Sequence, residues 1–250
     1  MEQSTRNKIQ NISFQKLYKP TIFSTDPIST LNSNKITCPY ANRAVISLLE
    51  AGVDFEEILI DLENKPEWIK EVNPASKVPA LRLSDGKILA ESVQIAEFIA
   101  ESYPESNLLP LDPYKRYEVR TFLEFTSSLG PLLYQLLNLA KSPRDEKTVD
   151  EKISQIVAKL RQVNEKLKEH SNEGPYFDGN HFSFADIIPF TIFERINIAS
   201  QIVGCPIKDF EGLDCVIEWA KAIRARESYK KGVATSQEMY ESLKSLLKRL

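Results

Sequence analysis

Residues 38–105 read CPYANRAVISLLEAGVDFEEILIDLENKPEWIKEVNPASKVPALRLSDGKILAESVQIAEFIAESYPE, and the order of local patterns within them decides the fold. Pro39 to Ala51 predicts a helix: Val45, Leu48 and Leu49 make an i, i+3, i+4 stripe, and Gly52 stands where a helix stops. Phe55 to Asp61 (FEEILID) predicts a strand. Val78 to Leu83 and Lys87 to Ala90 predict a hairpin, because Ser84-Asp85-Gly86 supplies Asp-Gly, a strong turn signal. Ser92 to Tyr103 predicts a helix with Val93, Ile95, Ala96, Phe98 and Ile99 on its apolar surface. Upstream, Phe14 to Tyr18 (FQKLY) predicts a first strand. Strand, helix, strand, hairpin, helix is the order of a thioredoxin-like domain with a mixed four-stranded sheet, here over residues 1–104.

Downstream the pattern changes. The stretch 104–113, PESNLLPLDP, carries three prolines and predicts a linker. Everything after it predicts helix, giving an all-helical domain over 112–250 and the class α/β plus all-α. From Glu146 to His170, Val149, Ile153, Ile156, Leu160, Val163 and Leu167 step by four and three. About three such heptads point to one helix of a bundle more than to a coiled coil. Phe182-Ser183-Phe184-Ala185-Asp186-Ile187 spells a helix start in which Ser183 and Asp186 cap each other reciprocally. By capping precedent Asp186→Ala costs about 1 kcal/mol.

Composition narrows the function. A hydrophobic fraction of 42%, a charged fraction of 27% and a net charge of −3 describe an ordinary globular chain. No basic field suggests nucleic acid, and the Arg224 to Lys231 cluster, broken by Glu227, reads as solvated surface. Cys38, Cys205 and Cys215 lack metal-ligand or dithiol spacing, which implies a reducing compartment, no metal and no disulfide framework. The opening MEQSTRNKIQN lacks an apolar signal run, and the uncharged stretch Phe125 to Ala140 falls short of the roughly 20 apolar residues of a membrane span. A cytoplasmic location is expected. Cys205, Cys215, Trp68 and Trp219 read as packing residues, and neither His170 nor His181 is expected near Cys38.

One sulfur carries the chemistry. Cys38 precedes Pro39, and proline is favoured at the first helical position, which sets Cys38 at the N-cap before free amides and the positive helix end. Its pKa is expected below the reference of about 8.5. Ala41 occupies the position a second redox cysteine would need, so any redox cycle must borrow a thiol. In Lys77-Val78-Pro79-Ala80 a strand begins with a proline, and a cis bond before Pro79 would leave the Val78 backbone to pair with a short peptide. Ser92 and the helix amides suit a carboxylate, and Glu91 suits an ammonium group.

The phrases NKPEW, NPASKVPAL and ESVQIAEF, with LLPLDPYKR and GPYFDGNHFSFADIIPFTIFER downstream, resemble Omega-class glutathione transferases. The chain is also similar to the plant Lambda class and to fungal Omega-like enzymes, from Cys38 to about Arg226. The resemblance implies glutathione as co-substrate, with Cys38 forming a mixed disulfide in place of the Tyr or Ser of conjugating classes. It implies that Lys65 neutralises a glutathione carboxylate, Val78 and Pro79 shape the backbone contact, and Glu91 and Ser92 hold the γ-glutamyl end. Tyr40 takes the place usually held by Phe, and Tyr240 falls where an aromatic covers the co-substrate site. Omega relatives are typically dimers and Lambda relatives often monomers, so the resemblance leaves both open and leans to a homodimer. Two departures stand out: Tyr40 itself, and a Ser/Thr/Asn/Pro-rich stretch near 19–37, read as an inserted rim loop. The expected activity is glutathione-dependent thiol transfer, of the deglutathionylation or dehydroascorbate-reducing type. The alternatives are a conjugating transferase and a non-catalytic binder of apolar ligands in the interdomain cleft.

Overall fold

The computed structural model describes residues 21–25, 38–61, 64–139, 146–171 and 174–249. Its first strand, β1, is Thr21–Thr25 (TIFST), inside the stretch read above as a loop. The strand expected at Phe14 to Tyr18 lies outside the described residues. The reason for a strand at TIFST is two-sided burial: Ile22 is 0% and Phe23 2% exposed, and successive side chains face opposite sides of a sheet. β2 is Glu56–Ile60, β3 Ala80–Arg82 and β4 Ile88–Ala90, in the order β2-β1-β3-β4. β1 runs parallel to β2, with Ile22 opposite Glu57, and antiparallel to β3, with Ile22 opposite Leu81. β3 and β4 form the expected hairpin, with Leu81 opposite Leu89.

Each sheet face has its own cover. Ile22 and Leu81 pack with Ala44, Val45 and Leu48 of α1 (Pro39–Glu50) and with Ile95 and Ile99 of α3 (Ser92–Ser102). On the other face Phe23, Ile60 and Ala80 meet Ile69 of the short α2 (Ile69–Val72). Trp68 stacks on Phe23 at 5.7 Å yet stays 40% exposed, so it packs through one side only. Gly52 adopts φ +65° directly after α1, the left-handed conformation that ends a helix cheaply only at glycine.

The helical unit contains α4 (Pro113–Thr126), α5 (Leu129–Leu139), α6 (Glu146–His170), α7 (Phe184–Ile202), α8 (Asp214–Ala225), α9 (Glu227–Gly232) and α10 (Ser236–Arg249). All six stripe residues of α6 are buried, and α6 packs on α5 and α8 as a bundle helix. The start of α7 is capped reciprocally by Ser183 and Asp186. Asp186 does more than cap. Fully buried, it also accepts hydrogen bonds from the Phe177 amide at 2.9 Å and the indole N–H of Trp219 at 2.8 Å.

α7 is buried along most of its length because it lies against α1, which the sheet covers from the other side. That position explains why α1 buries polar residues. Arg43 donates to the Ile188 carbonyl and the Thr191 hydroxyl, each at 3.2 Å, and Asn42 accepts from Arg195. α9 closes on the same helix so tightly that a Cβ at Gly232 would lie 2.8 Å from Val45 Cγ1. The helix that begins at Cys38 is thus fixed from both domains. Among the described residues no helix is long and apolar enough to cross a membrane.

Candidate active site

Cys38 is the N-cap of α1, with extended backbone (φ −69°, ψ 121°) and Pro39 following. Its carbonyl already accepts the first helical bond, from Asn42 N at 3.0 Å. The amides of Tyr40 and Ala41 reach its sulfur and favour the thiolate, as do Arg195 and Arg43 at longer range. Burial acts the other way and is the larger influence, so the thiol is pushed above its ordinary value. This overturns the expectation of a depressed pKa. A helix mouth at the surface offers amides without removing water, whereas this one opens between two domains, where desolvation of the anion outweighs the amides.

One of the two arginines is part of that balance. Arg195, on α7, reaches across to Asn42 one turn into α1, and its own guanidinium is made less basic by burial. Arg195→Met is expected to move the midpoint of Cys38 alkylation against pH upward. Each unit costs about tenfold in thiolate and returns about threefold in nucleophilicity, so alkylation at pH 7 slows by about threefold per unit. Arg195→Lys, which keeps the charge, should restore most of the rate. An unchanged midpoint in Arg195→Met would remove Arg195 from the account.

A cavity of about 510 Å³ opens beside the sulfur, and Cys38, Tyr40, Lys65, Val78, Pro79, Glu91 and Ser92 all line it. The Val78–Pro79 bond is cis. Lys65 is brought in by the loop before β3: Asn73 donates to the Lys77 carbonyl at 2.9 Å and accepts from the Ala75 amide at 3.1 Å. That arrangement sets Ser76 at φ +51°, with its carbonyl 3.0 Å from Lys65 Nζ. Glu91 takes φ +67° as the N-cap of α3, a costly conformation for a residue with a side chain and one that concentrates at ligand sites. Ser92 is buried, and its hydroxyl accepts from Arg43 Nη1 at 3.1 Å.

Tyr240 is not brought to this cavity. It sits on α10, partly buried against the helical core with Lys244 Nζ 5.5 Å from its ring. Position within the last helix depends on how α10 lies on the bundle, which sequence spacing alone does not fix. The aromatics at the cavity are Tyr40 and Tyr134, the second carried by α5. Arg43 was also missed. Its guanidinium is 5.1 Å from the Tyr40 ring and, buried, loses basicity to about 10. A charged residue inside an otherwise buried helical run was the one available signal for it.

A second cavity of about 510 Å³ lies beyond Tyr40 and Tyr134, between α1, α3, α4, α5 and α7. Its walls are largely apolar, including Val93, Leu123, Phe184, Ile188 and Ile192, and Arg120 meets Glu97 at 2.6 Å beside it.

Comparison with known proteins follows the same division of the chain. Residues 37–102 match the family model described as glutathione S-transferase, N-terminal domain, and residues 122–227 match glutathione S-transferase, C-terminal domain. The chain is 33% identical over 159 residues to glutathione S-transferase omega-1 of Sus scrofa, the match covering 64% of each chain. It is 30% identical over 203 residues to the probable glutathione S-transferase DHAR1, cytosolic, of Oryza sativa subsp. japonica, covering 81% of this chain and 86% of that one. Among solved structures, glutathione transferase Omega 1C from Trametes versicolor superposes with a TM-score of 0.73 at 27% identity, covering 92% of this chain and 97% of the other.

Proposed function

Given that the chain belongs to the glutathione S-transferase family, with Omega-class relatives, we propose that it is a glutathione-dependent thiol transferase working through a Cys38–glutathione mixed disulfide. The observation that carries the reading is that Cys38 opens α1 on the same cavity as Lys65, Val78, Glu91 and Ser92. Glutathione lies with its γ-glutamyl carboxylate at Ser92 and the α3 amides, its ammonium at Glu91 and its other carboxylate at Lys65. The Val78 backbone pairs with the peptide beside cis-Pro79, Tyr40 flanks it, and the thiol end meets Cys38.

The Cys38 thiolate attacks the glutathione sulfur of a mixed disulfide. The new S–S bond forms, the old one breaks, and the electron pair leaves with the released thiol, which takes a proton from solvent. A second glutathione thiolate then attacks Cys38–S–SG, releasing oxidised glutathione and restoring Cys38. Glutathionylated proteins are the substrates of this cycle; with a dehydroascorbate-type oxidant Cys38 instead adds to a carbonyl carbon, and glutathione then attacks that sulfur, forming Cys38–S–SG as the electron pair of the broken C–S bond passes to the released enediol. A homodimer is the assembly of this reading and the cytosol its compartment. The rice relative carries the word cytosolic in its name. A serine or tyrosine hydroxyl activating glutathione for conjugation is the weaker reading, because Cys38 stands at the helix mouth and the Ser92 hydroxyl already accepts from Arg43. The apolar second cavity supports a non-catalytic reading, the holding of apolar ligands between the domains.

A mass spectrum after treatment with oxidised glutathione tests the proposal. The expected result is one glutathionyl group, on the Cys38 peptide and absent from those of Cys205 and Cys215. An unmodified Cys38 would overturn it, and ligand binding by a protein that forms no adduct would leave the non-catalytic reading.

A further inference from the structure

Arg43 of α1 stands between the two cavities. It is buried, and its Nε donates to the Ile188 carbonyl and the Thr191 hydroxyl of α7, each at 3.2 Å. A tie between α1 and the helical unit needs no more than these bonds. The guanidinium nevertheless makes a third, in another direction. Nη1 donates to the Ser92 hydroxyl oxygen at 3.1 Å, with Arg43 in the wall of the apolar cavity and Ser92 in the wall of the cavity beside Cys38.

That third bond decides where one proton goes. A serine hydroxyl has a single proton to donate and an oxygen that accepts, and it rotates freely unless a partner fixes it. Arg43 occupies the oxygen of Ser92, and among the described residues no acceptor takes the Ser92 proton. The tetrahedral geometry of the oxygen turns the proton away from the guanidinium, and the space on which Ser92 opens is the cavity. A cation donating to the oxygen also polarises the O–H bond and makes it a stronger donor. Burial lowers Arg43 only to about 10, so the guanidinium keeps its charge at neutral pH.

We propose that Arg43 is a positioning residue for glutathione: by donating to the Ser92 oxygen it aims the Ser92 proton into the cavity, so that this end of the site takes an anionic acceptor, the γ-glutamyl carboxylate, and disfavours an uncharged amide in its place. This rests on the thiol-transferase reading above, which sets the γ-glutamyl end at Ser92. Arg43 touches no part of glutathione in this arrangement and acts through the hydroxyl. The same guanidinium lies 5.1 Å from the ring of Tyr40, which lines both cavities. One buried group thus holds the α1 residue that flanks the peptide and the α3 residue at its end.

Calorimetric titration of the reduced full chain with two ligands tests this. One is glutathione, and the other is its analogue with a carboxamide in place of the γ-glutamyl α-carboxylate. The wild type should bind glutathione about tenfold more tightly than the analogue, since a hydrogen bond to a charged group is worth at least that much. Arg43→Met should cut this preference by about fivefold while changing affinity for the analogue by less than about twofold. Ser92→Ala, which leaves the α7 bonds of Arg43 in place, should cut the preference at least as far. Arg43→Met added to Ser92→Ala should cut it no further. Equal losses on both ligands, or none, would reduce Arg43 to a tie between the domains and overturn the proposal. A further loss in the double variant would overturn it too, because Arg43 would then act on the carboxylate through its charge and not through Ser92. A wild type without the preference, or a Ser92→Ala variant that keeps it, would do the same, however Arg43→Met folds. All of these leave the Cys38–glutathione adduct, and with it the thiol-transferase reading, untouched. A wild type that binds neither ligand would overturn the proposal, and the thiol-transferase reading with it if Cys38 also forms no adduct.

Discussion

Asp186→Ala lowers the unfolding free energy by about 3–5 kcal/mol, well beyond the loss of a helix cap. Oδ2 accepts from the Ser183 amide at 2.8 Å and Oδ1 from the Phe177 amide and the Trp219 indole. Alanine strands three buried N–H donors, each worth about 1–3 kcal/mol when unsatisfied, and removes the acceptor of the Ser183 hydroxyl at 3.3 Å. Part of that is offset, because burial raises the carboxyl from 3.8 to about 6 and the substitution removes a costly anion. The pH dependence follows from the same shift. A folded value above the unfolded one means that this group's stabilisation is complete below about pH 3.8 and is lost as pH rises through about 6. The difference between wild type and Asp186→Ala should therefore be larger at pH 4.5 than at pH 7. Urea unfolding followed by the fluorescence of buried Trp219 measures it. A difference that widens with pH would show that the three donors favour the carboxylate more than burial disfavours it.

The same residue shows how much the sequence revealed. The Ser183–Asp186 cap was legible because its partners lie three residues apart. The bonds to Phe177 and Trp219 were not, since they span 9 and 33 residues and depend on how the segment before α7 folds back and how α8 lies against α7. The rule extends to the site. Cys38, Val78, Pro79, Glu91 and Ser92 stand at the ends of elements whose order was readable, and Lys65 was carried by the family phrase NKPEW. Arg43 and Arg195 bond across the domain boundary and Tyr134 reaches the cavity from the helical unit, where no local pattern reports a partner. The strand Thr21–Thr25 was read as part of a rim loop for another reason: TIFST lies in a Ser/Thr-rich stretch, and the burial of Ile22 and Phe23 on opposite faces appears only in the assembled sheet. The thiol's raised pKa was hidden for the same reason as Arg195, because desolvation of the helix mouth is a property of the assembled cleft.

The proposed reaction makes its largest demand on one atom. Cys38→Ser is expected to lower thiol transfer at least about a thousandfold while leaving glutathione affinity within about threefold. Serine fits the N-cap at least as well as cysteine, so α1 should keep its start. The contacts proposed for glutathione come from Lys65, Val78, Glu91 and Ser92, none of which the substitution touches. What is lost is an atom able to ionise near neutral pH and form an S–S bond, and no neighbour supplies another: Ala41 stands at the second redox position, and Cys205 and Cys215 belong to the helical unit. Steady-state kinetics with a glutathione mixed disulfide, and calorimetric titration of glutathione into the same variant, give the two numbers. Transfer that persists in Cys38→Ser would move the chemistry away from α1. Transfer and affinity lost together would mean that the sulfur holds the peptide rather than exchanges electrons with it. The wild-type rate should also climb with pH through neutrality, because burial keeps most of the sulfur protonated there and each added fraction of thiolate adds turnover. A rate already flat at pH 7 would require bound glutathione to supply the stabilisation that the two amides and the two arginines do not.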